Sequence, residues 1–273
     1  MSLCNILVHL NDGERTGVRL RVAVELARSS GARLTGVFAR VTTARSVGVV
    51  KDWPPSDYIG LANASRISFG IATQGLDAEW MDLNRGEEAD IVQQMVDLGR
   101  HFDVVVLGQY QSGDPLTPPD LYEQMIVQSG RPALVIPHTG DFQKVGVRPI
   151  FAWADSRSSA RGFSDGLLLV PKGTQALVVG LSKPNDVAAI NYQKGSLKLA
   201  VAQLAAHGVQ AKAEQLALSE IGLMDALLNR ASDHGDDLLS IGAFGGGGYP
   251  LFSRGSGSRY MLKHMTLPIL FSH

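Results

Sequence analysis

Small and basic residues gather in one stretch of the chain, IGAFGGGGYPLFSRGSGSR, from Ile241 to Arg259. The stretch holds seven glycines and two arginines, and no Asp or Glu occurs between Leu238 and His273. Glycine lets the backbone approach a ligand closely, and successive free N–H groups bind anions. Hydroxyls and cations would strengthen such a site, and the region supplies Arg254, Ser256, Ser258, Arg259 and Lys263. These residue types predict phosphate binding.

The same glycines also have a simpler interpretation, which the residues alone leave open. A flexible loop between a strand and a helix needs glycine too, with a serine as no more than the N-cap of the helix. Neither standard phosphate motif is present. No lysine follows these glycines as in G-x-x-x-x-G-K-[ST], and GSGSRY is only half of G-x-G-x-x-G.

The elements that must position this stretch occur twice in the same order. Apolar runs predict strands at CNILVHL, ARLTGVFARV, DAEWMDL, DVVVLGQ and PALVIPH, and again at RPIFAWA, TQALVVGLS, VQAKAEQLAL, DDLLSIGAF and LPILFSH. Helical spacing between them predicts helices near 18–27, 57–71, 91–98, 121–128, 157–170, 187–206, 223–231 and 256–263. The alternation predicts an α/β fold of two tandem doubly wound domains. Each would be a five-stranded, mainly parallel sheet with helices on both faces.

Length and composition bound the organisation of the chain. Its 273 residues suit two domains, which we place at 1–142 and 143–273 with a polar linker over His138–Gly146. The net charge of -1 gives no global attraction to nucleic acid or to an anionic membrane. The single cysteine, Cys4, excludes a disulfide framework. No leader or membrane-length apolar run is evident, so a cytoplasmic location is expected.

The spacing of the glycines narrows the interpretation. Gly242-x-x-Gly245, nine residues, then Gly255-Ser256 resembles the G-2x-G-9x-G-[ST] signature of the universal stress protein family. RPIFAWADSRSSARG is similar to the opening of a domain in that family, and SRYMLKHMTLPILFSH to its close. With both halves included, the resemblance covers essentially the whole chain, as a tandem protein.

The resemblance implies an adenine nucleotide α-hydrolase-like fold that binds ATP, with or without Mg²⁺, in the second half. Phosphates and ribose would be held by Gly242, Gly245, Gly255, Ser256, Gly257, Ser258 and Arg259. The family places an acid after the first strand, facing adenine. Ala154 stands there and Asp155 follows. Either Asp155 takes that role or adenine is held by the backbone alone, and Asp155 would otherwise be the N-cap of the helix from Arg157. Trp153 would touch the base or lie in the core, and Leu181 would form an apolar wall.

The first half lacks the features of this signature. Gly108 is present, but Gln111 replaces the second glycine and Leu121-Tyr122 stand where Gly-Ser is expected. Prolines 115, 118 and 119 remove N–H donors, and Asp114, Asp120 and Glu123 repel phosphate. We expect no ATP at this site, although drift of an ordinary loop would give the same pattern.

Three functions are compatible with the sequence. The favoured one is a nucleotide-binding regulatory or sensor protein of the stress response, with at most slow hydrolysis, because the glycine loop offers no acid for catalysis. The first alternative is an interaction scaffold that binds another protein and no nucleotide. The second is an enzyme of the related hydrolase group, which would need a catalytic cluster. We also expect the two halves to pair through ALVIPH and PILFSH, and two chains to be able to dimerise.

Overall fold

The chain divides into two compact units, one ending at Gln143 and the other running from Lys144 to His273. The computed structural model describes residues 3–43, 45–47, 50–182, 187–217, 222–245 and 255–273. None of the helices in these ranges is both long enough and apolar enough to cross a membrane.

The first unit is a parallel sheet with helices between its strands. Its elements are β1 (Asn5–Leu10), α1 (Thr16–Ser30), β2 (Arg33–Phe38), β3 (Arg45–Val47), β4 (Val50–Asp52), α2 (Ser56–Ala72), β5 (Ala78–Asp82), α3 (Glu88–Gly99), β6 (Val104–Gly108), α4 (Leu121–Gln128) and β7 (Ala133–Ile136). The strand order is β7-β6-β1-β2-β5, and every neighbouring pair is parallel. β3 and β4 form a separate antiparallel hairpin that the sequence did not predict.

The second unit repeats this arrangement. Its elements are β8 (Pro149–Trp153), α5 (Arg157–Gly166), β9 (Gln175–Ser182), α6 (Val187–Ala206), β10 (Gln210–Ala217), α7 (Leu223–His234), β11 (Leu238–Gly242), α8 (Ser256–His264) and β12 (Ile269–Ser272). The strand order is β10-β9-β8-β11-β12, again parallel throughout. The predicted fold class is confirmed.

The continuous apolar strands fit a sheet that is covered on both faces. Leu7 and Val8 are adjacent on β1, their side chains point to opposite faces, and both are fully buried. Val105 and Val106 on β6 are buried in the same way. This double burial explains why these strands show no alternation of polar and apolar residues.

One helix is shorter than the sequence predicted. The helix starting at Arg157 was expected to reach Val170, but it ends at Gly166. The next residues form tight turns, in which Leu168 N–H donates to Asp165 O and Leu169 N–H to Gly166 O, both at 3.0 Å. Pro171 follows, and the position before a proline disfavours helical backbone, which explains the early end.

The strand order defines one crevice in each unit. The order reverses between β1 and β6 in the first unit and between β8 and β11 in the second. In open parallel sheets, ligands bind outside the carboxyl ends of the strands at this switch point. Gly242 ends β11 and Gly245 comes soon after it, so the fold places these two glycines at the switch point of the second unit.

Candidate functional site

Two helices begin at the switch point of the second unit, α5 after β8 and α8 after β11. The N-cap of α8 is Gly255, at φ 81°, and among the described residues no side chain caps this helix. The first helical bond of α8 runs from Arg259 N–H to Gly255 O at 2.9 Å. N–H groups earlier in the helix have no intrahelical acceptor and carry the positive end of the helix dipole. The start of α8 therefore presents backbone N–H groups and a positive dipole at the switch point.

The start of α5 carries a cluster of serine hydroxyls. Ser156 is the N-cap and accepts from Ser159 N–H at 3.2 Å. Its hydroxyl lies 3.2 Å from that of Ser158 and 2.8 Å from that of Ser159. Ser159 in turn accepts from Ala154 N–H at 3.1 Å. Sequence reasoning did not name these serines as site residues, although the run SRSS after the first strand was visible.

Gly242 and Gly245, which the sequence assigned to the phosphates, pack against α5. A Cβ on Gly242 would lie 2.5 Å from Ser158 O and Ser159 N, and a Cβ on Gly245 would overlap the Ser158 hydroxyl. Gly162 lies one turn further along α5 and is also close, since its Cβ would be 3.0 Å from Gly242 N. Gly162 and Gly242 are therefore required by the contact between helix and strand, whether or not a ligand binds, whereas Gly245 meets a side chain that can rotate.

The remaining loop residues assemble around Phe244. Phe244 has φ 49° and donates its N–H to the Ser258 hydroxyl at 2.9 Å. A Cβ on Gly255 would lie 2.6 Å from the Phe244 ring, and the Arg259 guanidinium lies 5.7 Å from the ring centroid. The structure therefore brings Gly255, Ser258 and Arg259 together, but the Ser258 hydroxyl is engaged by the loop itself.

Asp155 is bound by side chains of α6. Its backbone is left-handed, at φ 51°, and its Oδ1 accepts from the Ser196 hydroxyl at 3.0 Å. Ser196 also accepts from the indole N–H of Trp153 at 2.7 Å. A hydrogen bond between Tyr192 and Asp155 raises the pKa of Tyr192. Because Ser156 caps α5, the alternative that Asp155 is the N-cap was wrong.

Four further positions named from the sequence remain. Leu181 lies on β9 opposite Leu216 of β10, near the carboxyl end of the strand. Ser256 and Gly257 form the first turn of α8, where a Cβ on Gly257 would meet only the flexible tip of Met224 at 3.2 Å. Arg254 lies outside the described residues. Within those residues, no three His, Cys, Asp or Glu side chains are grouped to hold a metal ion.

No protein-family model and no curated protein matches this sequence. Among solved structures, a universal stress protein from Archaeoglobus fulgidus DSM 4304 covers 97% of this chain and 97% of its own, with a TM-score of 0.69 and 13% identity. This is the universal stress protein fold.

Two further solved structures bear on the comparison. A protein of unknown function from Pseudomonas aeruginosa PAO1 covers 99% of this chain and 92% of its own, with a TM-score of 0.59 and 11% identity. A universal stress protein from Archaeoglobus fulgidus in complex with dAMP covers 50% of this chain and 98% of its own, with a TM-score of 0.36 and 20% identity.

The first unit has the universal stress protein fold too, but its switch point is filled by a buried arginine. A Cβ on Gly108, the last residue of β6, would overlap Nη1 of Arg19. Arg19 is 5% exposed, and its Nη2 donates to Asn11 Oδ1 at 3.2 Å and Thr16 Oγ1 at 3.1 Å. Burial lowers the pKa of Arg19 to about 10. The side chain lies over the position that corresponds to Gly242.

The guanidinium of Arg19 has few partners. Its Nε is buried without a hydrogen bond, and among the described residues no carboxylate forms an ion pair with it. Asp114 and Tyr122 interact with the Arg19 guanidinium only through longer-range electrostatics. Thr117 and Tyr122 close the site and are 3% and 4% exposed. The protein's own cation therefore fills this crevice.

Proposed function

We propose that the second unit binds an adenine nucleotide, ATP, at its switch point, and that the chain acts as a regulatory or sensor protein of the stress response. The observation that carries the proposal is that α8 starts at the switch point with its positive dipole end. Its N-cap is Gly255, which has no side chain of its own to occupy the site. A helix N-terminus of this kind binds phosphate through N–H groups and the helix dipole.

The local charge supports the same ligand. No Asp or Glu occurs from Leu238 to His273, so no carboxylate of that segment opposes a triphosphate. Arg259 adds a cation in the first turn of α8, and its side chain is exposed. The hydroxyls of Ser156 and Ser158 line the neighbouring start of α5. A polyanion placed between the two helix starts would meet donors from both.

The packing of the glycines shifts the proposed phosphate position. Gly242 and Gly245 lie against α5, so their role is to bring the two helix starts close together. We place the phosphates at the backbone of residues 255–258 rather than over Gly242, because the Arg259 N–H already donates to Gly255 O. Ser258 contributes its N–H and its O–H there, because a hydroxyl that accepts from Phe244 still has its own proton to donate. The role is binding, with hydrolysis at most slow.

Calorimetric titration of the full chain with ATP, with and without Mg²⁺, tests the proposal. Ser256→Ala removes the hydroxyl at the first position of α8 and keeps the backbone as it is. Arg259→Gln removes the cation. Each should weaken ATP binding about 10-fold or more, because hydrogen bonds to charged groups are worth about 1.5–3 kcal/mol. A flat titration with the wild-type chain would refute nucleotide binding.

Matched variants separate these effects from general damage. Ser56→Ala removes an exposed hydroxyl at the first position of α2 in the other unit. Lys212→Gln removes an exposed cation from β10, at the edge of the same sheet. Neither should alter ATP affinity by more than about 2-fold, because neither residue is at the switch point. Loss of ATP binding in either control would mean that substitutions away from the switch point also reduce affinity, so the site variants would not locate the phosphates.

A scaffold function is the second candidate, and an exposed apolar strip on α2 favours it. Ile67 and Ile71 lie one turn apart and are 59% and 68% exposed, and Ile59 is 46% exposed. On this hypothesis ATP gives no thermal shift, while Ile67→Asp reduces association with a protein partner. Pairing of the two units through their last strands and dimerisation of the chain stay predictions, and light scattering on the purified protein measures the second.

A further inference from the structure

Tyr192 presents an open aromatic face beside the carboxyl end of β8. Its side chain is 70% exposed, and the nearby Asp155 raises the pKa of its hydroxyl. Ser196, one turn further along α6, donates to the same carboxylate at 3.0 Å. The hydroxyl end of the ring therefore lies toward Asp155, and most of the ring is open to solvent.

The position of Tyr192 relative to α8 follows from the sheet. Trp153, the last residue of β8, lies opposite Gly180 of β9. Gln193, the neighbour of Tyr192, packs over Gly180, where a Cβ would lie 3.0 Å from its side chain. Tyr192 therefore stands at the β9 side of the switch point, whereas α8 begins at the β11 side. β11 and β9 flank β8, and two strand spacings are about 10 Å.

A ligand held by phosphates at α8 would extend along this edge toward α6. Its far end would then meet the ring of Tyr192, with Trp153 and Asp155 beneath. The carboxylate of Asp155 already accepts from Ser196 at Oδ1, so part of its accepting capacity is used within the protein. The largest exposed apolar surface that α6 presents at this end of the site is the aromatic face of Tyr192.

We propose that Tyr192 stacks on the base of the bound nucleotide, and that the site recognises the base by its face rather than by hydrogen bonds from Asp155. This inference rests on the nucleotide site proposed above. Stacking tolerates any base because every base has a π-face. The ligand class is therefore purine nucleoside triphosphates, with little preference for adenine over guanine.

The experiment titrates the full chain with ATP, GTP and inorganic tripolyphosphate. Tyr192→Leu removes the aromatic ring, and Tyr192→Phe keeps the ring but loses the bond to Asp155. Tyr192→Leu should weaken ATP and GTP about 5- to 150-fold, the range found for loss of one base stack, and leave tripolyphosphate unchanged. Tyr192→Phe should lose clearly less. Leu199→Ala, at a 73% exposed position two turns further along α6, should bind ATP as the wild type does.

The outcomes separate this inference from the function on which it rests. GTP binding within about 3-fold of ATP, together with the selective loss in Tyr192→Leu, supports stacking. Three results would overturn stacking while nucleotide binding stands. Tyr192→Leu binds ATP like wild type, Tyr192→Phe loses as much affinity as Tyr192→Leu, or the wild type favours ATP over GTP by more than 30-fold. A wild-type chain that binds neither ATP nor tripolyphosphate would overturn both. Because Tyr192 is exposed, these variants should fold, and circular dichroism checks that they do.

Discussion

The backbone N–H of Phe244 donates to the hydroxyl of Ser258 at 2.9 Å, which ties the end of β11 to the first turn of α8. Ser258 is 7% exposed, so water does not replace this bond easily. Phe244 adopts a left-handed backbone, at φ 49°, in making it. The GSGS segment thus stabilises its own loop in addition to any part it takes in binding.

Ser258→Ala should destabilise the second unit. The substitution leaves the Phe244 N–H without an acceptor, and an unsatisfied buried donor costs about 1–3 kcal/mol. Urea unfolding followed by circular dichroism measures the loss in unfolding free energy. Ser164→Ala, at an exposed position on α5, is the matched control and should change it by less than about 0.5 kcal/mol. Equal stability of Ser258→Ala and wild type would contradict the importance of the bond.

Gly242→Ala should lower the unfolding free energy by about 1–3 kcal/mol, because its Cβ meets the backbone of Ser158 and Ser159 and forces α5 away from β11. Gly195→Ala provides the opposite case on α6. It lies in a helix with nothing within 4 Å of the added Cβ, so alanine should raise the unfolding free energy by about 0.5–1 kcal/mol. Thermal unfolding of the two variants side by side gives the comparison. The same sign for both would refute the packing argument.

Stability should fall with acid because of His9. Burial, together with the nearby cation of Arg19, lowers the pKa of His9 to about 3 from the usual 6.5. Below pH 6.5, His9 takes up a proton in the unfolded chain but stays neutral in the folded chain. The stability that His9 contributes is therefore complete above pH 6.5 and is lost toward pH 3, at up to about 1.4 kcal/mol per pH unit.

His9→Gln tests this dependence, because glutamine does not titrate. As the pH falls from 6.5 to 4, the wild type should lose more unfolding free energy than His9→Gln does. His207→Gln serves as the control, since His207 is exposed and should leave the pH profile as it is. Parallel profiles for wild type and His9→Gln would show that His9 does not resist protonation.

Arg19→Met should leave stability unchanged or raise it by up to about 2 kcal/mol. Its guanidinium is buried, its Nε has no partner, and an apolar side chain of similar length avoids the cost of burying a charge. Asn11→Ala should instead cost about 1–3 kcal/mol, because Asn11 Oδ1 accepts from Gly13 N–H and the Thr16 hydroxyl as well as from Arg19. Chemical denaturation ranks the two variants. A larger loss in Arg19→Met would contradict this account.

The alternation of strands and helices could be predicted from sequence because burial on both faces leaves continuous apolar runs. The helix expected at 187–206 has those bounds, and Gly208 follows it at φ 81°. The helix expected at 57–71 extends one residue further at each end. Local pattern decides such elements, so a single sequence is enough to place them.

Contacts between distant residues could not be predicted. Asp155 was expected to face a ligand or to cap α5, but its partner Ser196 is 41 positions away on another helix. The burial of Arg19 over Gly108 was not predicted, because nothing in the sequence around an arginine of α1 indicates that it is buried there. The role of Gly242 was taken from the glycine spacing, whereas its packing against Ser158 depends on how α5 crosses β11.

The tight contact between α5 and β11 has a consequence for anyone comparing related chains. Gly162 and Gly242 meet with no room for even a methyl group. Selection for a stable fold would preserve the first glycine of the spaced signature in a lineage that had abandoned its ligand, and the first unit indeed keeps Gly108 but has Gln111 at the second position. Retention of Gly242 therefore records the ancestry of the scaffold, and the glycine turn at Gly255 is the better marker of a working site.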